Sequence, residues 1–253
     1  MIQIDRAQCT GCGLCASICH ESCITLVEGR PEIDETYCST CSQCVAICPA
    51  GALSWNGVAP AAFDAARLPT AAQLDELFKQ RRSIRSYKET PVERSLLTEI
   101  VHYGIYAPTH NYSLRAIIVD DRTIIAALDQ ILMRFVTTVY NVAYRPKIVG
   151  WLARAIGMEE EYLLNKPKLE GAINRGRAIR YPAAIVFIVG DRRIPLSIDS
   201  AQYALANMTF YAQVKGIGGC LWGNGPIFMD RSRAARRLLG LQRRDRIFGA
   251  LFL

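Results

Sequence analysis

Two runs of cysteine constrain this chain more than anything else in it. The first reads Cys9-Thr-Gly-Cys12-Gly-Leu-Cys15-Ala-Ser-Ile-Cys19-His20. The second, 29 residues on, reads Cys38-Ser-Thr-Cys41-Ser-Gln-Cys44-Val-Ala-Ile-Cys48-Pro49. Three readings compete. A disulfide framework belongs to an oxidising compartment, and the opening MIQIDRAQCT has neither the basic region nor the apolar stretch of a secretion signal. Zinc ribbons use isolated C-x2-C pairs and have no need of a third cysteine three residues on. The spacing C-x2-C-x2-C-x3-C is that of four-iron iron–sulfur clusters. Three closely spaced thiolates on a tight loop wrap one face of a cubane, and the fourth points away toward a second cluster.

The cysteines also divide the chain. Nine of the ten lie in the first 48 residues, and only Cys220 lies beyond. Net charge follows the same division. Residues 1–60 hold two basic and six acidic side chains (−4), and the remainder holds 28 basic and 17 acidic (+11), for a total of +7. The join is GVAPAAFDAARLPTAA, rich in Ala and Pro, so we expect domains at 1–57 and 73–253 with a linker over 58–72. At 51% hydrophobic and 21% charged, the chain can bury a core. It has no unbroken apolar run of about 18 residues, so no membrane span is expected. The +7 alone would admit a nucleic-acid partner. The basic residues are dispersed, however, with few aromatics among them, so none is expected.

The first segment resembles the bacterial two-cluster ferredoxins over residues 1–57. The resemblance implies that Cys9, Cys12, Cys15 and Cys48 hold one [4Fe-4S] cluster and that Cys38, Cys41, Cys44 and Cys19 hold the other. Short strands are expected at 2–5, 24–28 and 31–33, the last two joined as a hairpin through Gly29-Arg30. His20 stands where these ferredoxins usually carry proline; a solvated loop histidine is the plainer reading, and tuning of the neighbouring cluster is the sharper one. Cys23 falls opposite Ala52 in the repeat and reads as a buried structural thiol.

Beyond the linker, helices are expected over 71–80, 123–144 (with Asp129 and Arg134 on a polar minority face), 148–156, 159–175 (interrupted at Pro167), 197–215 and 230–239. Thr90-Pro91-Val92-Glu93 reads as a capping box opening a helix to Tyr106. Strands are expected at 116–119, 183–189 and 247–253, with 219–222 extended. Helices and strands do not alternate regularly, which indicates an α+β fold.

Three segments could carry chemistry. Arg81-Arg82-Ser83-Ile84-Arg85-Ser86-Tyr87 offers guanidinium forks and a hydroxyl for a phosphate, or is a solvated basic helix end. Tyr106-Ala-Pro-Thr-His-Asn-Tyr-Ser113 is a polar loop whose Asn111 and Ser113 could hydrogen-bond a heterocycle, or is ordinary turn chemistry. Gly216-Ile-Gly-Gly-Cys-Leu-Trp-Gly-Asn-Gly-Pro226 lets backbone approach a ligand closely, or is simply a loop. No dinucleotide or Walker motif is present.

In this order the three resemble the FMN-dependent nitroreductase family over residues 74–253. The resemblance implies a central mixed sheet flanked by helices, a homodimer, and FMN at the subunit interface. Arg81, Arg82 and Ser83 would serve the FMN phosphate, and Arg85 the pyrimidine edge. Asn111 and Ser113 would contact the ring or ribityl chain, and the backbone of Leu221, Trp222, Gly223 and Asn224 would face N5. His110 is the candidate proton donor. Family members usually carry a further cation past the last strand, where this sequence stops at Phe252-Leu253. A substitute is expected from 175–180 or 243–246.

The fusion implies an enzyme in which a low-potential donor such as a ferredoxin feeds electrons through two clusters to FMN. The flavin then reduces a small organic acceptor (nitro, quinone or enone type) by hydride transfer. A second reading stays open: an electron-carrier or flavin-holding subunit of a larger complex, with no substrate of its own. The thiols suit a reducing cytoplasm, and an anaerobe. Cys220 reads as packed rather than nucleophilic. Two oxidised clusters at about −2 each and a phosphate at about −2 would cancel most of the +7, so that charge is largely an internal balance.

Overall fold

A computed structural model describes the chain over 1–253, apart from residues 109–113, 195 and 224 and the side chains of Lys147 and Glu159. The chain divides into two compact units, Met1–Lys79 and Gln80–Pro108 with Leu114–Leu253.

In the first unit the order is β1 (Ile2–Ile4), α1 (Leu14–Ile18), β2 (Ile24–Val27), β3 (Arg30–Ile33), α2 (Gln43–Ile47) and β4 (Leu53–Trp55). A 3-10 turn at Ala65–Arg67 and α3 (Ala71–Gln80) follow. Strands β2 and β3 form the expected hairpin, and β1 pairs antiparallel with β4. The 29-residue repeat is written into the backbone. Helix α2 is α1 displaced by 29, and both start from a left-handed residue, Gly13 (φ 76) and Ser42 (φ 61). Gly11 (φ 71) likewise matches Thr40 (φ 53), and Ser22 (φ 52) matches Gly51 (φ 62). The hydrogen bonds repeat too. The Asp5 amide donates to Ala52 O at 2.8 Å, and the Asp34 amide donates to Cys23 O at the same distance. The core is small: Cys15, Cys23, Ile24, Cys44, Val45, Ala52 and Leu53.

The second unit runs α4 (Arg94–His102), a 3-10 turn (Tyr103–Tyr106), β5 (Arg115–Val119), α5 (Arg122–Val139), a π turn (Tyr140–Tyr144), α6 (Lys147–Ala155) and α7 (Glu159–Arg175). It continues with β6 (Ile185–Asp191), α8 (Ser197–Val214), β7 (Cys220–Trp222), α9 (Gly225–Arg231), α10 (Arg233–Leu238) and β8 (Asp245–Phe252). The strand order is β5-β6-β8-β7. The expected mixed sheet gives way here, because every pairing among these strands is antiparallel.

Alternation along β6 explains the layers. Ile185, Phe187 and Val189 enter one core with Ile125, Leu128, Leu132 and Val136 of α5. Ala184, Val186 and Ile188 enter the other with Leu97 and Ile100 of α4 and with Ala201, Leu205 and Met208 of α8. A central strand covered on both faces accounts for the unbroken apolar run IVFIV. By length and composition Arg122–Tyr144 could cross a membrane. Part of its apolar surface, Ile125, Leu128, Leu132 and Val136, enters this core.

Four local expectations need correction. The capping box at 90–93 does not form: the helix begins at Arg94, Glu93 is its N-cap without a side-chain cap bond, and the last turn before Tyr106 is 3-10. Helix α7 passes through Pro167 without interruption. The stretch 230–239 is two helices, broken at Ser232, whose hydroxyl accepts from the Ala235 amide and caps α10. Asp129, expected on a polar minority face, is 3% exposed. Its Oδ1 accepts from the Ala178 and Ile179 amides at 2.8 and 2.6 Å, which satisfies two otherwise unpaired donors.

Candidate cluster pockets and flavin site

The first unit carries two pockets. Cys9, Cys12, Cys15 and Cys48 line one, with Gly11, Gly13, Pro31 and Leu53. Cys19, Cys38, Cys41 and Cys44 line the other, with Cys23, His20, Glu21 and Ser42. Each pocket therefore draws three cysteines from one run and the fourth from the other. Crossed pairing of the halves brings this about: β1 joins β4, and the Asp5 and Asp34 amides bind across the repeat. Gly11 is required where it stands, since a Cβ there would lie 2.5 Å from Gly29 O at a left-handed φ.

Three of the thiols resist ionisation as they stand. Burial pushes Cys15 up, Cys44 up to about 11 and Cys23 up to about 12; for Cys23 the hydrogen bond with Cys19 adds to the burial. Such groups become thiolates when a cationic centre compensates them. Among the described residues no three His, Cys, Asp or Glu side chains are placed to hold a single metal ion. Thiols spread around a pocket suit a multi-atom cluster better than a lone zinc. Cys23 is buried, as expected for a structural thiol, and its Sγ lies 3.4 Å from Cys19 Sγ.

In the second unit two of the three flavin-motif segments meet. The Ile84 amide donates to Gly219 O at 3.0 Å. A Cβ on Gly218 would stand 2.8 Å from the Ile84 side chain, so this glycine permits the approach. The Tyr87 hydroxyl donates to Ile84 O at 2.7 Å, and its ring packs edge-on against Phe252. Burial raises the Tyr87 hydroxyl far above its ordinary range, with Arg85 and Arg180 opposing, so it stays a neutral donor. Strand β7 is the sheet edge beside β8. The Trp222 ring turns inward against Phe252, 4.7 Å between centroids, whereas Leu221 and Gly223 are exposed. The part of 221–223 available to a ligand is thus the backbone edge and Leu221. His110, Asn111, Ser113 and Asn224 lie outside the described residues.

A cavity of about 650 Å3 adjoins this segment, lined by Arg85, Lys88, Glu89, Arg122, Arg175, Arg177, Arg180 and Tyr181, among others. Arg81, Arg82 and Ser83 do not line it. Of the two stretches proposed to supply a further cation, 175–180 reaches Arg85, and 243–246 does not line the cavity. Sequence reasoning passed over Lys88, Arg122 and Tyr181. Lys88 and Tyr181 stand just past the stretches it singled out, and Arg122, 34 positions beyond Lys88, joins them only through the fold.

The nitroreductase family profile matches residues 78–253. This chain belongs to the nitroreductase family. A 4Fe-4S dicluster domain profile matches residues 8–52, so the nitroreductase domain is fused to an iron–sulfur domain. No curated protein matches the chain. Among solved structures, it is similar to a nitroreductase with bound FMN from Desulfitobacterium hafniense, at 14% identity and TM-score 0.53 over 70% of this chain and 85% of that one. It is also similar to one with bound FMN from Bacteroides fragilis, at 19% identity and TM-score 0.51 over 71% and 86%. An FMN and NADPH-dependent nitroreductase from a sphigopyxis strain matches at 21% identity and TM-score 0.50 over 70% and 86%. At these identities the likeness establishes the fold.

Proposed function

We propose that this nitroreductase-family protein is an iron–sulfur flavoprotein oxidoreductase that takes electrons from a low-potential donor, such as a ferredoxin, and reduces a small organic acceptor. The observation that carries the reading is the pair of cysteine-lined pockets in the same chain as the family domain. A flavin enzyme reduced directly by a nicotinamide would have no need of them. Cys9, Cys12, Cys15 and Cys48 hold one [4Fe-4S] cluster, and Cys38, Cys41, Cys44 and Cys19 hold the second. Bound FMN supplies the conversion of single electrons into a hydride equivalent.

The protein's own residues bind and orient. Arg81, Arg82 and Ser83 take the phosphate by charge-assisted hydrogen bonds. Arg85 places positive charge at the pyrimidine edge, where reduction builds negative charge. Asn111 and Ser113 bind the ring or ribityl chain. The backbone at Leu221, Trp222, Gly223 and Asn224 faces N5, which the exposed edge of β7 supports. His110 donates a proton to the acceptor. The functional unit is a homodimer in a reducing cytoplasm, without nucleic acid or membrane. Ile148, Trp151, Leu152 and Ile156, exposed on and just after α6, offer apolar surface for the partner subunit.

Anaerobically purified protein tests this by iron and FMN content, by EPR of the reduced clusters, and by turnover with a reduced ferredoxin and a quinone or nitroaromatic. Expected are about eight irons and one FMN per chain, with turnover lost alongside the cluster signals. Full turnover with NADH after cluster loss would refute the electron path. Stoichiometric cofactors with no saturable acceptor reduction would leave the carrier-subunit reading in its place.

A further inference from the structure

Four arginines elsewhere in the second unit are paired with a carboxylate: Arg94 with Asp120, Arg115 with Asp245, Arg193 with Asp191 and Arg236 with Asp230. The cavity beside Arg85 gathers cations around one concavity instead. Arg85, Lys88, Arg122, Arg175, Arg177 and Arg180 line it with Glu89 as the one carboxylate, and among the described residues none of the six forms an ion pair. Six like charges around one concavity repel one another, and solvation on a convex surface would disperse them better.

Some of the six are held in place without an anion. The Arg122 guanidinium donates to Glu89 O at 3.0 Å and to Pro182 O at 3.4 Å. Arg177 lies over the Tyr181 ring, 5.3 Å from its centroid. Holding cations by carbonyls and a ring leaves their remaining N–H donors for a ligand. Five of the six are arginines, whose planar forks match phosphate oxygens in pairs. The volume, about 650 Å3, lies within the range of small-molecule sites. One flavin phosphate of about −2 would leave most of this charge uncompensated.

We infer that this cavity binds a phosphorylated small molecule, a second anion besides the flavin phosphate. The inference rests on the reading that Arg81 and Ser83, which do not line the cavity, hold that flavin phosphate. A substrate carrying two or more phosphate charges fits the site.

The test uses the cluster- and FMN-loaded protein, titrated with sodium pyrophosphate by calorimetry while FMN content is followed by absorbance. Wild type is expected to bind one pyrophosphate per chain with FMN retained, more weakly as salt rises. Lys88→Ala/Arg122→Ala is expected to bind it at least tenfold more weakly with unchanged FMN content. Lys88→Glu, at an exposed position in the same lining, should show the same loss should the double variant not fold. Displacement of FMN by pyrophosphate, or loss of FMN from the folded double variant, would make the cavity the flavin's phosphate seat and overturn the proposal. Absence of binding to FMN-loaded wild type overturns it as well. Citrate binding as tightly as pyrophosphate would overturn the assignment to phosphate. Protein that takes up no FMN yet binds pyrophosphate would refute the flavin reading, and with it the assignment of this cavity to a second anion.

Discussion

The unit from Met1 to Lys79 builds its cysteine-flanked helices from five residues and its strands from three or four. The second unit has helices of 18 residues and a central strand buried along nearly its whole length. The first has seven buried core residues, three of them cysteines. The second has two apolar layers on the faces of one sheet. A core as small as the first cannot offset the entropy of ordering its chain, and small domains of this kind depend on metal. The second unit can fold on hydrophobic burial alone. The same chain thus contains a fold defined by ligands and a fold defined by packing.

The largest expected effect separates them. Removing iron with a chelator under reducing conditions should abolish amide-exchange protection over 1–57 and leave the protection of β6, α5 and α8 in place. Full protection of α1 and α2 in iron-free protein would show that thiol packing alone suffices, and the contrast would collapse.

The converse perturbation comes next. Phe187→Ala empties the centre of the packed unit, where Phe187 is fully buried, and should cost about 3–5 kcal/mol in urea unfolding. Asp129→Ala leaves the Ala178 and Ile179 amides without their acceptor and should cost about 2 kcal/mol. Neither should alter the EPR signals of the clusters. A cluster signal lost together with β6 packing would mean that the two units fold as one.

Within the first unit, the repeat provides a finer comparison. Gly11 and Thr40 occupy equivalent left-handed positions, but only Gly11 has a backbone oxygen where a Cβ would go. Gly11→Thr should therefore cost more than about 2 kcal/mol, while Thr40→Gly should be neutral or stabilise by up to about 1 kcal/mol. Equal and opposite effects, measured on the iron-loaded protein, would show that the halves are interchangeable. The pockets differ as well. The second contains Cys23, His20 and Glu21, whereas the equivalents Ala52, Pro49 and Ala50 do not line the first. Cys23→Ala and His20→Pro should each shift one of the two cluster reduction midpoints and leave the other unmoved. Movement of both, or of neither, would remove the assignment of these side chains to one cluster.

Legibility in the sequence follows the same division. In the first unit the cysteine spacing made the repeat legible, and the 29-residue offset returns in helices, left-handed residues and hydrogen bonds, although α1, α2 and β4 carried no periodicity long enough to be expected. The helices and strands of the second were legible from periodicity, but their termini were not. Thr90 and Glu93 are the residue types of a capping box, yet the chain enters α4 at Arg94 without forming one. Asp129 seemed polar and exposed by pattern, and only the loop at 178–179, 49 and more residues away, makes it a buried acceptor. The cationic cavity escaped for the same reason. Arg175, Arg177 and Arg180 share one local run, but Lys88 and Arg122 join them only through tertiary folding.

The smallest expected effect concerns how helices begin. Helices α1 and α2 have no side-chain cap, consistent with a unit held by its clusters, whereas α5 is capped by Asp121, which accepts from the Thr123 and Ile124 amides. The hydrogen bond from the Thr123 hydroxyl, with the backbone amides behind it, holds the Asp121 carboxyl below its ordinary range. A carboxyl depressed in the folded state stabilises above its unfolded pKa and loses that contribution as pH falls through the folded one. Asp121→Ala should accordingly lower the Tm of the second unit by about 2 °C at neutral pH. The gap to wild type should narrow below pH 4, because protonation then weakens the cap in wild type as well. A gap that stays constant down to pH 2.5 would mean that Asp121 acts through packing rather than through its charge, and that α5, like α1 and α2, is held by what it packs against and not by how it starts.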